Sequence, residues 1–387
     1  MARFESRRLW VWSLPNALGV RAPPGMTASP THPRRVVVYR IGSLGDTLVV
    51  LPAFHLVRRV FPQAHITLLT NVPVNARAAP MEAILQNTNL YDDILRYPTS
   101  LRGVSKLLEL RKTLEAGLYD CLIYLAEPKG GILTSIRDYL FFRLCGIRRI
   151  IGVPFSRRTL RPVQLPDSEL FTSETTRVLE CIRRLGAVDP KDPKCWDLQL
   201  TPAEIGEAEA VLQSRGISGR FLAASVGTKI QPNDWEEQNW KRLIQRVASE
   251  FPELPLVLFG AGEEWERCER LMEMWSGPKA NLCGVTSPRV SAATLRNAAV
   301  MVCHDSGPMH LAATMGVPCV AIFSARNPPG VWYPRGDSHT ILYHRTPCWG
   351  CKLTMCVEQK KACILSITVD EVHAAVRKQV ERALRAR

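Results

Sequence analysis

Long hydrophobic runs are missing from this sequence of 387 residues. No stretch approaches the ~20 consecutive apolar residues of a transmembrane helix, so a membrane-spanning segment is not expected. The first 26 residues also lack the continuous apolar segment of a secretory signal. Low-complexity tracts are absent, and 46% hydrophobic with 22% charged residues is typical of a globular chain. We therefore expect a globular, cytoplasmic protein with a disordered basic extension over residues 1–33.

Two common nucleotide-binding fingerprints are missing as well. The turn Gly42-Ser-Leu-Gly-Asp46 lacks the Gly-Lys-Ser/Thr of a P-loop. The turn Gly260-Ala-Gly262 follows a predicted strand, but Trp265 occupies the third glycine position of a dinucleotide fingerprint. A Rossmann-type NAD site is therefore not predicted.

Charge and cysteine content narrow the choice of partners without fixing it. A formal net charge of +14 favours an anionic partner such as a nucleotide, a phosphorylated lipid or an acidic membrane. No nucleic-acid-binding module is recognisable, so nucleic acid is not expected. Twelve cysteines in a chain without a secretory signal indicate reduced thiols. Four of them could form a structural metal site or remain free thiols: Cys348, Cys351, Cys356 and Cys363.

Short apolar runs alternate with helical patterns along the chain, which is typical of parallel α/β sheets. Strands are predicted at 36–41, 65–70, 119–125 and 148–153, and again at 221–226, 254–260, 298–303 and 318–323. A proline-rich, charged stretch near residue 190 separates the two sets. We predict one α/β domain at 34–200 and a second at 201–368. A final helix at 369–387 is expected to pack back on the first domain.

Polar residues follow several of the predicted strands, where ligands bind in such sheets. Each has a structural alternative: Asp46 could simply cap a helix starting near Thr47, and Lys229 could be a solvated charge. Likewise, Ser306 with Pro308 explains a helix running from about Met309 to Met315, and a lone His310 is more often a packing residue. Four such turns in two halves favour a ligand cleft.

Three segments carry a family resemblance. RIGSLGDTLVVLPAFHLVRRVFPQAHITLLT, the GTK…DW…NW stretch and the run containing HDSGPMHLAATMG resemble glycosyltransferase family 9, the ADP-heptose:lipopolysaccharide heptosyltransferases. The resemblance spans roughly residues 35–380. It implies a GT-B fold, with two facing Rossmann-like, doubly wound domains and mainly parallel sheets. The domain at 34–200 would then bind the acceptor and the domain at 201–368 the nucleotide-sugar. It also implies inverting, metal-independent sugar transfer, in line with the lack of an Asp-x-Asp motif.

The resemblance assigns roles to individual residues. Asp46 is expected to be the general base, and Lys229 to contact the donor phosphate. The longer spacing between Lys229 and Trp235 departs from the family's frequent Lys-x-Trp-Pro. The other expected donor contacts are Gly45, Thr228, Glu264 (less surely Glu263), Asp305 for the sugar, Ser306 and Gly307 for the diphosphate, and His310.

The expected reaction moves a sugar, with heptose from ADP-heptose favoured, to a lipopolysaccharide-type or other cell-envelope acceptor. No cofactor is expected, and the partners are the nucleotide-sugar and a glycolipid or glycan at the cytoplasmic membrane face. Two alternatives remain open: a nucleotide-sugar 2-epimerase on the same fold, and a non-catalytic nucleotide-sugar-binding protein.

Overall fold

The computed structural model describes residues 33–72, 79–98 and 103–385. The predicted extension over residues 1–33 therefore lies outside the described residues, apart from Pro33. The strands are β1 (Arg35–Tyr39), β2 (His65–Val72), β3 (Asp93–Pro98), β4 (Cys121–Tyr124), β5 (Arg149–Ile151), β6 (Phe221–Ser225), β7 (Leu256–Leu258), β8 (Lys279–Asn281), β9 (Ala298–His304), β10 (Cys319–Phe323) and β11 (Thr340–Tyr343). All eight predicted strands are present in this set.

Helices connect the successive strands except β10 and β11, and two more follow β11. They are α1 (Leu44–Leu48), α2 (Leu51–Val60), α3 (Glu82–Leu85), α4 (Val104–Ala116), α5 (Ile132–Leu144), α6 (Arg157–Leu160), α7 (Glu174–Cys181), α8 (Pro202–Ser214), α9 (Glu237–Glu250), α10 (Trp265–Met272), α11 (Pro288–Leu295), α12 (Gly307–Thr314), α13 (Ala362–Leu365) and α14 (Val369–Arg385). Among the described helices none is both long and apolar enough to cross a bilayer.

The strands form two separate parallel sheets, one in each half of the chain. The first has the order β3-β2-β1-β4-β5 and the second β11-β10-β9-β6-β7-β8. Every strand pairing within them is parallel. Both orders are of the doubly wound type, in which the chain reverses direction across the sheet between two central strands. This architecture confirms the predicted α/β fold of GT-B type.

Apolar residues cover both faces of each sheet. In β1, Val36 and Val38 point into a core that lies between the two sheets, whereas Val37 points into a core under α4 and α5. In β9, Met301 joins the shared core, and Val302 joins a third core under α9, α10 and α14. Burial on both faces explains why these central strands read as unbroken apolar runs.

The last helix corrects one prediction. Helix α14 contacts α9, β9, β10 and β11, so it packs on the second sheet and not on the first half of the chain. Val372, Val376 and Val380 form its buried stripe and belong to the core of that sheet. Their spacing of four residues aligns them on one face, and this face matches the apolar surface of the nearest sheet.

A buried ion pair fastens the two halves together away from the strand ends. Arg289 on α11 is fully buried and donates to both carboxylate oxygens of Glu204 on α8, at 2.6 and 2.8 Å. Its remaining donors reach the carbonyls of Ile84, Leu198 and Gln199. Arg289 lowers the pKa of Glu204 to about 2, mainly through these hydrogen bonds. The guanidinium thus links α11 in the second half to α3 and α8.

Candidate active site

A cavity of about 1560 Å³ lies where the carboxyl ends of the two sheets face each other. Loops after β1 and β4 line it from the first half, and loops after β6, β7, β9 and β10 line it from the second. The β1/β4 and β6/β9 pairs are the points at which each strand order reverses, and ligands bind at such points in doubly wound sheets. All the predicted substrate-contacting residues line this cavity: Gly45, Asp46, Thr228, Lys229, Glu263, Glu264, Asp305, Ser306, Gly307 and His310.

Asp46 is held in one orientation by its own turn. Its Oδ2 accepts hydrogen bonds from the Ser43 backbone nitrogen at 2.7 Å and from Ser43 Oγ at 3.0 Å. Gly42 has a φ of +132°, and a Cβ there would lie 2.4 Å from the Asp46 Cβ. Helix α1 begins at Leu44 with Ser43 as its N-cap, so the predicted start near Thr47 is wrong. Asp46 is the third helical residue, where its carboxylate completes a capping box.

A buried charge cluster supports the same turn. Arg40 donates to the Asp46 carbonyl at 2.7 Å and to the Leu125 carbonyl at 2.6 Å. It also pairs with Glu174, whose carboxylate accepts two hydrogen bonds from Arg177 at 2.7 and 2.8 Å. Sequence reasoning missed this cluster because its members are up to 137 positions apart and follow no local pattern. The Asp46 backbone is consequently held by Arg40, in addition to the contacts of its side chain with Ser43.

Glu264 occupies a space that glycines keep open. A Cβ on Gly227 would lie 1.5 Å from the Glu264 carboxylate, and one on Gly260 would lie 2.1 Å from it. The carboxylate accepts a hydrogen bond from the Ala261 nitrogen at 3.0 Å, and burial raises its pKa. A short 3₁₀ turn, Gly262–Glu264, precedes α10. The acid therefore sits at the ends of β6 and β7, and it reaches the cavity wall there.

His304 ends β9 as a structural residue. It is fully buried, and its Nε2 accepts hydrogen bonds from the Trp235 nitrogen at 3.2 Å and from Trp240 Nε1 at 3.3 Å. Burial lowers the pKa of His304 to about 4, so the ring is neutral at pH 7. This contact fixes the loop of the unusual Lys229–Trp235 spacing against the end of β9.

Asp305 follows His304 and faces the cavity. Asn233 Nδ2 donates to the Asp305 carbonyl at 3.3 Å and so ties the loop after β6 to the loop after β9. Burial raises the pKa of the Asp305 carboxyl to about 7; the Asp46 charge adds to this effect and Arg326 opposes it. Both carboxylates line the same cavity, Asp46 from the first half of the chain and Asp305 from the second.

The first turn of α12 meets the first turn of α1. A Cβ on Gly45 would lie 3.2 Å from the His310 ring and 3.5 Å from the Gly307 Cα, and one on Gly307 would lie 3.1 Å from the Leu44 side chain. Helix α12 begins at Gly307 with Ser306 as its N-cap, two residues before the predicted start. His310 is buried in this contact and its pKa is lowered to about 4. The unpaired amides of the α12 N-terminus face the cavity beside Asp46.

Lys229 reaches into the cavity from the loop after β6. Desolvation by the cavity walls lowers the pKa of its ammonium group, and Asp46, Glu264 and Glu263 oppose this effect. Thr228 beside it is engaged in its own turn, since its hydroxyl contacts the Ile230 carbonyl at 3.3 Å. A cation and a helix N-terminus thus approach the space between Asp46 and Glu264, a combination suited to a diphosphate.

Three of the four clustered cysteines lie in the segment between β11 and α13, and Cys363 lies in α13 itself. Cys356 and Cys363 are buried, Cys351 is exposed and Cys348 is intermediate. Within residues 33–72, 79–98 and 103–385, no group of three or more His, Cys, Asp or Glu side chains is placed to hold a metal ion. The structure therefore gives no support to the metal alternative. Lys352, between these cysteines, lines the cavity.

Comparison with known proteins identifies the family. The profile of glycosyltransferase family 9 (heptosyltransferase) matches residues 108–362. The lipopolysaccharide core heptosyltransferase OpsX of Haemophilus influenzae is 20% identical over 76% of this chain and 80% of its own.

Two solved structures have the same fold. One is a glycosyl transferase family 9 protein from Veillonella parvula, with a TM-score of 0.66, 17% identity and coverage of 90% of this chain and 98% of its own. The other is the Escherichia coli heptosyltransferase WaaC with ADP-2-deoxy-2-fluoro heptose, with a TM-score of 0.57, 16% identity and coverage of 89% and 99%. Because the family profile covers well over half of the chain, this protein belongs to glycosyltransferase family 9, the heptosyltransferase family.

Proposed function

We propose that this glycosyltransferase moves heptose from ADP-heptose to a hydroxyl of a lipopolysaccharide-type core acceptor, with inversion at the anomeric carbon. The observation that carries the proposal is the position of Asp46. Its carboxylate lies on the first-half wall of the cavity, and the Gly45–Gly307 contact brings it beside the N-terminus of α12 in the second half. A base on one wall next to an anion site on the other is the arrangement that direct displacement needs.

The nucleotide is assigned to the second half. Glu264, placed between Gly227 and Gly260, is suited to accept hydrogen bonds from ribose hydroxyls. The diphosphate would lie on Ser306, Gly307 and the amides of α12, with Lys229 as its cation. Asp305 would contact the sugar hydroxyls. The ADP-heptose analogue bound to the WaaC relative supports ADP as the nucleotide.

The chemical step follows from these positions. The acceptor oxygen attacks the anomeric carbon from the face opposite ADP and loses its proton to Asp46, while the bond from that carbon to the phosphate oxygen breaks. The electron pair leaves with ADP, and the helix amides and Lys229 stabilise the added charge. Because these groups supply positive charge where it develops, we propose that the transfer needs no divalent metal.

The acceptor is assigned to the first half. Lys129 and Arg161 line the cavity there, on the loops after β4 and after α6. Both are suited to bind acidic or phosphorylated sugars. An anionic acceptor of this kind would also be attracted by the net charge of +14. We place the reaction at the cytoplasmic face of the membrane, where a lipid-linked acceptor would be presented.

Product analysis with ADP-heptose and a heptose-deficient lipopolysaccharide core tests the proposal. The wild-type protein should release ADP and add one heptose, with and without EDTA. Asp46→Asn, which keeps the size of the side chain, should lower kcat by about 10²–10⁴-fold because the general base is lost. Glu127→Gln, which removes another carboxylate from the same wall, should have a much smaller effect. Near-normal turnover of Asp46→Asn would disprove the role of Asp46.

A reaction with ADP-heptose but without acceptor distinguishes a transferase from the two alternatives. A transferase should leave ADP-heptose intact apart from slow hydrolysis. Conversion of the donor to an epimer in this arm would support the 2-epimerase alternative, and donor binding with no product in either arm would support a binding protein.

A further inference from the structure

Helix α5 has its apolar side chains on the outside. Five of them lie on its outward face: Ile132, Leu133, Ile136, Leu140 and Leu144, with exposed fractions of 45%, 76%, 42%, 54% and 63%. The last four recur at i, i+3, i+7 and i+11, so they form one stripe along the helix. A helix on the surface of a globular protein normally shows polar residues there.

Two polar residues of the same helix point inward. Ser135 and Asp138 are buried, and the Asp138 carboxylate accepts a hydrogen bond from the hydroxyl of Tyr124 in β4 at 2.8 Å. Phe142 completes this inner face in the core below α4 and α5. The helix is therefore apolar toward water and partly polar toward the sheet, and its outer stripe is a candidate for burial against something else.

Basic side chains surround the stripe. Residues 127–161 carry eight Lys or Arg and only two Asp or Glu, one of which is the buried Asp138. Arg137 lies on the outer face with its side chain 71% exposed. Phe155, itself exposed, packs against Tyr139 of α5 with ring centroids 6.0 Å apart, and the exposed Arg157 and Arg158 follow it two and three residues later. An apolar centre flanked by exposed arginines complements an anionic bilayer surface.

The loop that leads into α5 lines the cavity. Lys129, Gly130 and Gly131 line the cavity and lead directly into Ile132, and Leu160 and Arg161 line it just beyond the basic segment. A helix lying in the membrane interface would therefore hold the acceptor side of the cavity at the lipid surface.

We propose that α5, together with Phe155, Arg157 and Arg158, is the surface by which this protein docks on an anionic phospholipid membrane. The docking brings the acceptor wall of the cavity to the level of the lipid head groups. Its purpose rests on the proposed transfer to a lipid-linked acceptor, whereas the binding itself does not depend on that reaction.

Vesicle flotation tests the docking with the full chain. The wild-type protein should float with phosphatidylcholine vesicles that contain phosphatidylglycerol and should not float with phosphatidylcholine alone. Leu133→Asp with Leu140→Asp should weaken binding by tenfold or more. Arg157→Glu with Arg158→Glu should also weaken it, on the order of fivefold per basic side chain lost near the surface. Val357→Asp, which replaces an apolar residue 71% exposed in the second half, is the matched control and should bind normally.

Four results would overturn the proposal: no binding by the wild type, equal binding to neutral vesicles, normal binding by Leu133→Asp/Leu140→Asp, or a wild-type dimer that this variant converts to a monomer. Circular dichroism and ADP-induced thermal shifts confirm that each variant is folded. The Leu133→Asp/Leu140→Asp protein should transfer normally to a delipidated acceptor and poorly to one embedded in vesicles. Predicted vesicle binding without any transfer would reject the proposed function and leave the docking surface standing.

Discussion

Replacing Arg289 with methionine should separate the stability of the molecule from its chemistry. The guanidinium is fully buried and donates two hydrogen bonds to Glu204 and three to backbone carbonyls of α3 and of the segment before α8. Methionine fills a similar volume without any donor, so Glu204 stays buried without its cation. Removing one partner of a buried pair costs about 3–5 kcal/mol.

The expected change in melting temperature follows from the size of the folded unit. Pro33–Arg387 form one compact unit of about 355 residues. At about 2.1 cal/mol/K per residue its unfolding entropy is about 0.75 kcal/mol/K, so the variant should melt about 4–7 °C lower. Arg296→Met, one residue beyond α11 and exposed, is the matched control and should change the unfolding free energy by less than about 0.5 kcal/mol.

The pH dependence gives a second reading of the same contact. The folded-state pKa of Glu204 is lowered to about 2 from its ordinary value of 4.5. Its stabilising contribution is therefore complete above pH 4.5 and is lost as the pH falls toward 2. Arg289→Met removes most of that contribution, so the difference in unfolding free energy between the two proteins should narrow as the pH falls from 4.5 to about 2. Urea unfolding followed by tryptophan fluorescence would show this. A variant within 1 kcal/mol of the wild type, or a gap independent of pH, would refute the reasoning.

Three further outcomes follow from the site. Gly42→Ala places a Cβ 2.4 Å from that of Asp46, so kcat should fall about 10²-fold while the ADP affinity measured by calorimetry changes little. Gly146, which also has a positive φ (+82°), has no atom within 4 Å of an added Cβ, so Gly146→Ala should leave kcat unchanged. Lys229→Ala should raise the Kd for ADP about tenfold, whereas Lys129→Ala should raise only the KM for the acceptor. The opposite result would mean that Lys129 binds the donor and Lys229 the acceptor. Asp305→Asn should stabilise the protein by about 1–3 kcal/mol at pH 8. The raised pKa of about 7 means that the charged form is the unfavourable one, so the gain should disappear below pH 4 in thermal melts.

The central strands could be predicted from sequence because they are buried on both faces and read as continuous apolar runs. Three strands were missed: β3, β8 and β11. All three are at sheet edges, where a strand is short or partly exposed and its composition resembles that of a loop. The position of α14 was also missed, since an amphipathic pattern shows that a helix packs on something without showing on what.

The candidate site divides in the same way. Asp305 and Ser306 follow β9 directly, and Asp46 and Glu264 lie in the turns that follow β1 and β7. The parallel-sheet rule therefore located them together. The Arg40–Glu174–Arg177 cluster and the Arg289–Glu204 pair depend on contacts across 85 or more positions between the most distant partners, and no local pattern signals them. The apolar stripe of α5 was not predicted, because residues 132–144 mix apolar side chains with Ser135, Arg137, Asp138 and Arg143. The structure shows which face of α5 packs on the sheet, and only then can the apolar residues of the opposite face be recognised as exposed.

Gly45 and Gly307 let α1 and α12 approach each other closely, because neither residue has a side chain. A Cβ at either position would lie 3.1–3.2 Å from a side chain of the facing helix, so that neighbour would have to give way by a few tenths of an ångström. In displacement reactions the reacting atoms must come within about 3–3.5 Å, a tolerance of similar size. On the proposed function, these two glycines would therefore determine the distance between the two bound substrates. Larger residues there would leave each half able to bind its own substrate while holding the two substrates too far apart to react.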